Sequence, residues 1–283
     1  MTSTQFVAAP SIARLLRAST SCRDEFVSYL KSGAGGRKKV AEDQKIGREL
    51  LVTAVLAGEP QAGKTEIRNN LRAFLRDQPY VASQTQDADT SHRTLNTFHY
   101  LFPFTRNDLT AYDRTAPRLC YGITDCRGWE AAPIPDIATT IANSSFDTSK
   151  YDSDLQNEYP STFPHDVVLL VLRPPEINTT TQVDTEDLYS EFLSKYAEVL
   201  VAIGVLHRVL FLVTHADKLT SAELQAFNTA MIQCLRIKAD QILNLTNITS
   251  ADSEMTADWE ENMWKLVTKL VKQKEAGLKG MKA

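Results

Sequence analysis

The chain has 283 residues, of which 43% are hydrophobic and 23% charged, with a formal net charge of -4. This composition fits one sizeable domain with an added segment, and the slightly acidic balance argues against a protein whose main task is to bind nucleic acid. Four cysteines without the paired spacing of a zinc site favour a reduced, cytoplasmic setting. The longest apolar stretch, 199–213, is too short for a membrane span because His207 and Arg208 interrupt it.

The first 49 residues form a segment in which apolar side chains recur at helical spacing. The pattern stops at the glycine-rich break SGAGG, residues 32–36. We therefore predict a helical arm over residues 1–49. Packing against the main domain is its favoured role, and a dimerising or partner-binding element is the alternative. The apolar residues at this spacing are Ile12, Leu15, Leu16, Cys22, Phe26 and Leu30.

From residue 50 onward, apolar runs of strand length alternate with amphipathic helical stretches. This alternation predicts crossover connections and a largely parallel sheet with helices on both faces. We therefore predict an α/β three-layer sandwich with about six mostly parallel strands over residues 50–283, with an insert at about 129–165. The predicted strands are 50–57, 94–102, 118–124, 166–172, 208–214 and 242–249, and the predicted helices are 64–77, 185–203, 220–240 and 256–275.

The first predicted strand runs directly into GEPQAGKT, residues 58–65, which fits the pattern G-x-x-x-x-G-K-[ST]. Such a loop curls so that its amides converge on a polyphosphate, while the lysine reaches the β and γ phosphates and the threonine ligates magnesium. The buried strand before it and the helix after it favour a P-loop NTPase fold over a plain glycine turn. Lys64 is the predicted catalytic residue and Thr65 a predicted Mg²⁺ ligand. The predicted phosphate contacts are Gly58, Glu59, Pro60, Gln61, Ala62, Gly63, Lys64, Thr65 and Glu66.

The third predicted strand is followed by Asp125-Cys126-Arg127-Gly128, which matches the D-x-x-G element of GTPases. In that element the carboxylate holds magnesium through water, and the glycine amide meets the γ phosphate. We therefore predict Asp125 as a metal ligand and Gly128 as a nucleotide contact. Arg127 is a candidate catalytic charge toward the γ phosphate, with a solvent-facing arginine as the favoured alternative.

The strand predicted at 208–214 ends in Thr214-His215-Ala216-Asp217, where guanine-binding proteins usually place N/T-K-x-D. A carboxylate accepts hydrogen bonds from the N1 and N2 donors of guanine, and adenine lacks this pair of donors at that edge. Asp217 therefore favours guanine over adenine, while Thr214 supports the base and the ring of His215 replaces the lysine stem. An aspartate that only caps the helix beginning near 220 is the alternative.

Two more GTPase elements have candidates in the chain. Ser250 and Ala251 follow the strand predicted at 242–249 and lie close to the S-A-K end of the fifth element, where backbone amides meet the guanine O6. The threonine that closes over magnesium falls within residues 79–97, and the sequence does not choose among its candidates. These are Thr85, Thr90, Thr94 and Thr97.

Four elements, GEPQAGKT, DCRG, THAD and SAD, occur in this order over residues 58–252 and make the chain similar to a P-loop GTPase domain. Within that class it resembles the interferon-induced protein forty-four family through AGKT with Asn69 or Asn70 soon after, a D-x-x-G before a long insert, and GVLHRVLFLVTHADKL. A weaker resemblance is to the immunity-associated and chloroplast-import GTPases, whose third element is usually D-T-P-G where this chain has DCRG. The resemblance implies a cytoplasmic nucleotide-binding protein with a role in innate immunity.

Hydrolysis is expected to be weak because Trp129 follows D-x-x-G, where many GTPases place a glutamine that orients the attacking water. Pro60 and Gln61 also crowd the γ phosphate region. We therefore predict a GTP/GDP-binding switch protein that uses Mg²⁺, with slow or partner-assisted hydrolysis, a protein partner at 79–97 and 127–165, and a nucleotide-dependent homodimer. The alternatives are a non-hydrolysing scaffold, suggested by His215 and Trp129, and a P-loop ATPase or kinase in which Asp217 is incidental.

Overall fold

A six-stranded sheet forms the centre of the fold. The structure is a computed structural model that describes residues 20–32, 49–76, 98–104, 118–126, 136, 139, 141, 145–147, 162–175, 185–204, 208–246 and 256–280. Its strands are β1 (Glu49–Gly58), β2 (Phe98–Pro103), β3 (Arg118–Asp125), β4 (Ser145–Asp147), β5 (Thr162–Pro164), β6 (Val167–Leu172), β7 (Val209–Val213) and β8 (Ile242–Asn244). Its helices are α1 (Thr20–Ser32), α2 (Lys64–Arg76), α3 (Thr185–Ile203), α4 (Ser221–Leu235) and α5 (Ala257–Gly280).

The strand order in the sheet is β2-β3-β1-β6-β7-β8, and β4 pairs with β5 in a separate two-stranded sheet. β1 is central and pairs in parallel with β3 and β6, so that Leu56 lies opposite both Asp125 and Leu169. β2 is an edge strand and the one antiparallel member of the large sheet, with Phe98 opposite Asp125. The carboxyl ends of β1, β3 and β7 therefore meet at one edge. The predicted α/β sandwich of six mostly parallel strands is confirmed.

Helices bury both faces of this sheet, which explains why β6 and β7 read as uninterrupted apolar runs. On one face, Phe26 of α1 and Phe74 of α2 pack against Trp264 of α5, with ring centroids 5.4 Å and 4.8 Å apart. On the other face, Tyr189 of α3 meets Phe227 of α4 at 5.0 Å. The described helix of the N-terminal segment thus packs on the sheet domain, while the predicted bounds 1–49 and 50–283 stay predictions. Among the described residues, every helix is too short or too polar to span a membrane.

Several element ends differ from those expected. α4 ends at Leu235 and not near 240, because Arg236 adopts a left-handed conformation with φ 53°, which stops a helix. β2 begins at Phe98 and β8 ends at Asn244, while 94–97 and 247–249 of the predicted strands lie outside the described residues. The hairpin of β4 and β5 was not predicted, because strands of three residues carry too little hydrophobic pattern to recognise.

The β4–β5 hairpin packs directly over the sheet. Phe146 of β4 is fully buried, and its ring lies over Gly122 of β3, where an added Cβ would come within 2.9 Å of the ring. The same ring meets His99 of β2 edge-on, with centroids 5.7 Å apart. The absence of a side chain at Gly122 therefore makes room for the hairpin, which anchors part of the long insert to the sheet.

Directly after this hairpin, a buried histidine predicts acid sensitivity. His165 is 8% exposed, and neither ring nitrogen has a hydrogen-bond partner in the described part of the chain. Burial, helped by the charge of His99, lowers the pKa of His165 from 6.5 to about 3. Because the unfolded chain takes up this proton and the folded chain does not, the stability contributed by neutral His165 is full above pH 6.5 and declines toward pH 3.

We expect His165→Leu to flatten the acid limb of the stability profile. Each pH unit between 6.5 and 3 costs the wild-type protein about 1.4 kcal/mol of unfolding free energy through this one group. Urea titrations at successive pH values measure the difference between wild type and variant across that window. Parallel acid limbs in the two proteins would show that the fold does not lower the pKa of His165.

Candidate functional site

The loop between β1 and α2 curls tightly because of three residues with positive φ. Gly58 has φ 149°, and an added Cβ there would lie 2.3 Å from the carbonyl oxygen of Val171, so only glycine fits. Gln61 and Gly63 follow with φ 59° and 91°. α2 begins immediately afterwards, so the unpaired amides of its first turn and the positive end of its dipole face the loop. The geometry suits an anion.

The side chain of Lys64 folds back across this loop. Its Nζ donates hydrogen bonds to the carbonyl oxygens of Gly58 at 3.2 Å and Glu59 at 2.7 Å. The residue is 6% exposed, and burial lowers the pKa of the amine, an effect that the nearby carboxylate of Asp125 opposes. A strand, a curled glycine loop and a helix that starts at this lysine now stand together at the centre of the sheet. The fold is that of a P-loop NTPase.

Across the P-loop, Thr65 and Asp125 meet although they lie 60 residues apart in sequence. The Thr65 hydroxyl donates to Oδ2 of Asp125 at 3.0 Å. Asp125 is fully buried, and burial raises the pKa of its carboxyl, with the guanidinium of Arg68 and the Thr65 hydrogen bond acting in the opposite direction. Its other oxygen, Oδ1, is buried and accepts no hydrogen bond from the residues described.

These two residues fit a magnesium ion. Mg²⁺ prefers hard oxygen ligands and binds through one or two protein groups with water and phosphate completing the shell. The Thr65 hydroxyl and the unsatisfied Oδ1 of Asp125 supply such oxygens next to the P-loop. Within the described ranges there is no group of three acidic, histidine or cysteine side chains that would form a protein-only metal site.

A cation contacts the same carboxylate. Arg68 places Nη1 3.3 Å from Oδ2 of Asp125 and donates from the same nitrogen to the Tyr100 hydroxyl at 2.7 Å. Its guanidinium carbon lies 4.4 Å above the Tyr100 ring. Neither residue was predicted from the sequence. Arg68 carries a recognisable signal, since it lies one helical turn after Lys64, but the position of Tyr100 depends on the pairing of β2 with β3.

Thr214 connects the end of β7 to the P-loop. Its hydroxyl is fully buried and donates to the carbonyl oxygen of Ala62 at 2.8 Å, with a longer contact of 3.1 Å to that of Leu172. Its amide donates to the Leu172 carbonyl at 2.9 Å, which continues the pairing of β7 with β6. The structure therefore brings the T-H-A-D segment and the phosphate loop together.

Beyond β7 the chain turns through His215, which has φ 55°, into a short 3₁₀ turn at Ala216–Lys218. Asp217 in this turn is exposed, and its carboxylate has no hydrogen bond or ion pair with any residue the structure describes. Thr220 caps α4 instead, since its hydroxyl accepts from the Glu223 amide at 3.3 Å and its amide donates to the Glu223 carboxylate at 2.8 Å. The alternative in which Asp217 only caps this helix is wrong.

Two contacts hold the P-loop and its helix from outside. Lys195 of α3 lies 2.6 Å from Oε1 of Glu59, but both side chains are about one-third exposed, so this pair is worth at most about 1 kcal/mol. Trp259 of α5 donates from Nε1 to Oδ1 of Asn70 at 2.6 Å, and both residues are buried. Asn70 also donates to the Glu66 carbonyl of its own helix at 2.7 Å, so the bond from Trp259 fixes α2 against α5 through a side chain that is itself held in place.

Other predicted site residues fall outside the part of the chain that the structure describes. The same holds for most of the partner segments 79–97 and 127–165, where the β4–β5 hairpin is the main described element. The roles assigned to these residues stay predictions. They are Thr85, Thr90, Thr94, Thr97, Arg127, Gly128, Trp129, Ser250 and Ala251.

Comparisons with known proteins extend to structure alone, since no protein-family model and no curated protein sequence matches the chain. Toc33 from Arabidopsis thaliana in complex with GDP and Mg²⁺ is similar at 14% identity and TM-score 0.45, covering 88% of this chain and 90% of that one. The complex of Toc33 with Mg²⁺ and GMPPNP is similar at 13% identity and TM-score 0.45, covering 90% of this chain and 94% of that one. The dimerisation-deficient Toc33 mutant is similar at 15% identity and TM-score 0.42, covering 90% of this chain and 93% of that one. The resemblance to the interferon-induced protein forty-four family stays a prediction.

Proposed function

We propose that the chain is a P-loop switch protein that binds GTP and GDP with Mg²⁺ and hydrolyses GTP slowly or with the help of a partner. The observation that carries the proposal is the contact of Thr65 with Asp125, which leaves a buried carboxylate oxygen unsatisfied beside the P-loop. A simple turn between a strand and a helix does not require a hydroxyl, a buried carboxylate and a buried lysine in one place. A metal-bound polyphosphate would bind all three groups, since the hydroxyl and the carboxylate ligate the metal and the lysine contacts phosphate.

Each group has a role in this proposal. The loop amides and the Lys64 amine bind the β and γ phosphates, exchanging two carbonyl acceptors for charged oxygens that form stronger hydrogen bonds. Thr65 and Asp125 hold Mg²⁺, which when bound neutralises phosphate charge. Gly128 would contact the γ phosphate and Trp129 leaves the attacking water without an orienting amide, which makes hydrolysis slow.

Asp217 supports guanine as the base. The carboxylate is exposed, is not engaged as a helix cap, and follows a strand whose end is bonded to the P-loop through Thr214. In this turn after β7, the Asp217 carboxylate would accept hydrogen bonds from both the N1 and N2 donors of guanine. Partner binding at 79–97 and 127–165, a nucleotide-dependent homodimer and a cytoplasmic setting belong to the same proposal and rest on the sequence.

The base preference is tested by titrating the full chain with fluorescently labelled GDP, GTP and ATP in Mg²⁺. We expect guanine nucleotides to bind at least about tenfold more tightly than ATP, and Asp217→Ala to remove that preference, because two hydrogen bonds to a charged acceptor are lost. Asp217→Asn reverses the polarity of one side-chain atom and should improve binding of xanthine nucleotides relative to guanine. Asp240→Ala is the matched control, since Asp240 is also an exposed aspartate in the middle of a 3₁₀ turn.

The outcomes separate the three functions. Guanine binding that Asp217→Ala abolishes and Asp240→Ala preserves supports the switch protein. Absence of any nucleotide binding by the wild type would leave the non-hydrolysing scaffold, and a preference for ATP would leave the ATPase or kinase. Turnover of GTP by the isolated chain above about 1 per second would contradict slow intrinsic hydrolysis.

A further inference from the structure

Arg68 places a positive charge beside the carboxylate of Asp125, where a magnesium site needs negative charge. Its side chain is 12% exposed and Asp125 is fully buried, so water screens the attraction between them only weakly. The guanidinium lies 3.3 Å from the same Oδ2 that accepts from Thr65. Helix α2 therefore places a cation against the carboxylate that is assigned to Mg²⁺.

The arginine has other contacts that do not depend on Asp125. Nε and Nη2 donate to Oδ1 of Asn69 at 3.1 Å and 2.8 Å, and Nη1 donates to the Tyr100 hydroxyl at 2.7 Å. The contact with Asp125 is the longest of the four. Arg68 can consequently give up the carboxylate and keep its other partners, so its interaction with Asp125 is the one that a competing cation would replace.

We propose that Arg68 is a resident counter-ion of Asp125 that Mg²⁺ displaces, and that it sets the Mg²⁺ concentration at which the site binds nucleotide. This inference rests on the proposed function, because it assigns Asp125 to the metal. Without Mg²⁺, the guanidinium neutralises the buried carboxylate. When Mg²⁺ binds at Oδ1, the guanidinium at Oδ2 of the same carboxylate repels it, so the wild-type site requires more Mg²⁺ than a site without this charge.

Tyr100 connects Arg68 to the edge of the sheet. It lies on β2, the edge strand that follows residues 79–97 in the chain. The tyrosine ring beneath the guanidinium and the hydroxyl beside Nη1 position Arg68 toward Asp125. Tyr100 is therefore a positioning residue, and loosening its hold weakens the competition without removing the charge.

The test measures how much Mg²⁺ supports binding of labelled GDP to the full chain, in wild type and Arg68→Gln. We expect the half-saturating Mg²⁺ concentration to fall at least about tenfold in Arg68→Gln, since an adjacent opposite charge changes the cation affinity of a carboxylate by roughly 10-fold to 1000-fold. Arg72→Gln removes an exposed charge one turn further along α2 and should shift it by less than about twofold. Tyr100→Phe should lower it by less than Arg68→Gln does, because the variant loses one hydrogen bond to the guanidinium but keeps its charge.

A second measurement uses Mg²⁺ alone, as the rise in thermal unfolding midpoint across a Mg²⁺ titration without nucleotide. A larger rise in Arg68→Gln than in wild type and Arg72→Gln supports the inference. Equal responses in all three folded proteins, or a higher Mg²⁺ requirement in Arg68→Gln, overturn it. If Arg68→Gln does not fold, Tyr100→Phe decides in the same way.

These two measurements distinguish the inference from the proposed function. If the wild type binds no GDP at any Mg²⁺ concentration, the proposed function fails, and the response to Mg²⁺ alone still decides whether Arg68 competes for Asp125. If GDP binds with the same Mg²⁺ requirement in every variant, the proposed function stands and the inference fails.

Discussion

Replacing Lys64 with alanine is expected to weaken binding of labelled GDP and GTP by at least about 100-fold, because two charge-assisted hydrogen bonds to phosphate disappear together. The amine is buried at the centre of the loop, where its present acceptors are the carbonyls of Gly58 and Glu59. Water cannot easily take its place, since only 6% of the residue is exposed. Fluorescence titration in saturating Mg²⁺ measures the loss.

Lys195→Ala is the matched control for this variant. It removes a lysine whose amine also contacts the P-loop, but at the Glu59 side chain and at a partly exposed position. We expect a change of less than about threefold, in line with the small worth of such pairs. The unfolding midpoint of each variant without nucleotide shows whether the loop itself has been disturbed. Unchanged affinity in Lys64→Ala would mean that the loop does not bind phosphate.

Replacing Gly58 with alanine is expected to cost about 3 kcal/mol or more of unfolding free energy, because the new methyl group meets packed backbone. The Cβ would lie 2.3 Å from the carbonyl oxygen of Val171, on the neighbouring strand β6, and the residue has φ 149°. β1 and β6 are paired at this point, so neither strand can move away without breaking the central ladder. Urea unfolding monitored by circular dichroism measures the loss.

Gly204→Ala separates the two sources of strain. Gly204 also has positive φ, 68°, but an added Cβ there meets nothing within 4 Å. We expect this variant to lose only about 1 kcal/mol, the usual cost of placing a side chain in the left-handed region. Equal losses in the two variants would show that the approach of Val171 is not what requires glycine at the start of the P-loop.

The sheet was predictable because it is buried on both faces. Strands such as β6 and β7 have to be apolar at every position, and that pattern is visible in VVLLVL and VLFLV without any knowledge of pairing. The hairpin of β4 and β5 was invisible, because its fit depends on the space above Gly122 and not on its own periodicity. The end of α4 was misplaced because a left-handed arginine, which the sequence gives no reason to expect, stopped the helix.

The candidate site was predictable only where a motif keeps its residues close together in sequence. Lys64 and Thr65 followed from spacing, and Asp125 from its place after a strand. Tyr100 and Asn70 were not assigned roles, because their contacts with Arg68 and Trp259 depend on strand register and helix packing. Side chains that position other side chains can come from distant parts of the sequence, so local sequence patterns do not identify them.

The hydrogen bond from Thr214 to the Ala62 carbonyl has a consequence for the entropy of ligand capture. It joins two segments that are 152 residues apart in sequence, so the fold itself holds them next to each other. A molecule that contacts both segments would meet two surfaces whose spacing is already set, so little conformational freedom is lost on association. Thr214→Val removes this hydrogen bond and lets the two segments move relative to each other. We therefore expect every ligand that contacts both segments to bind the variant less tightly than the wild type.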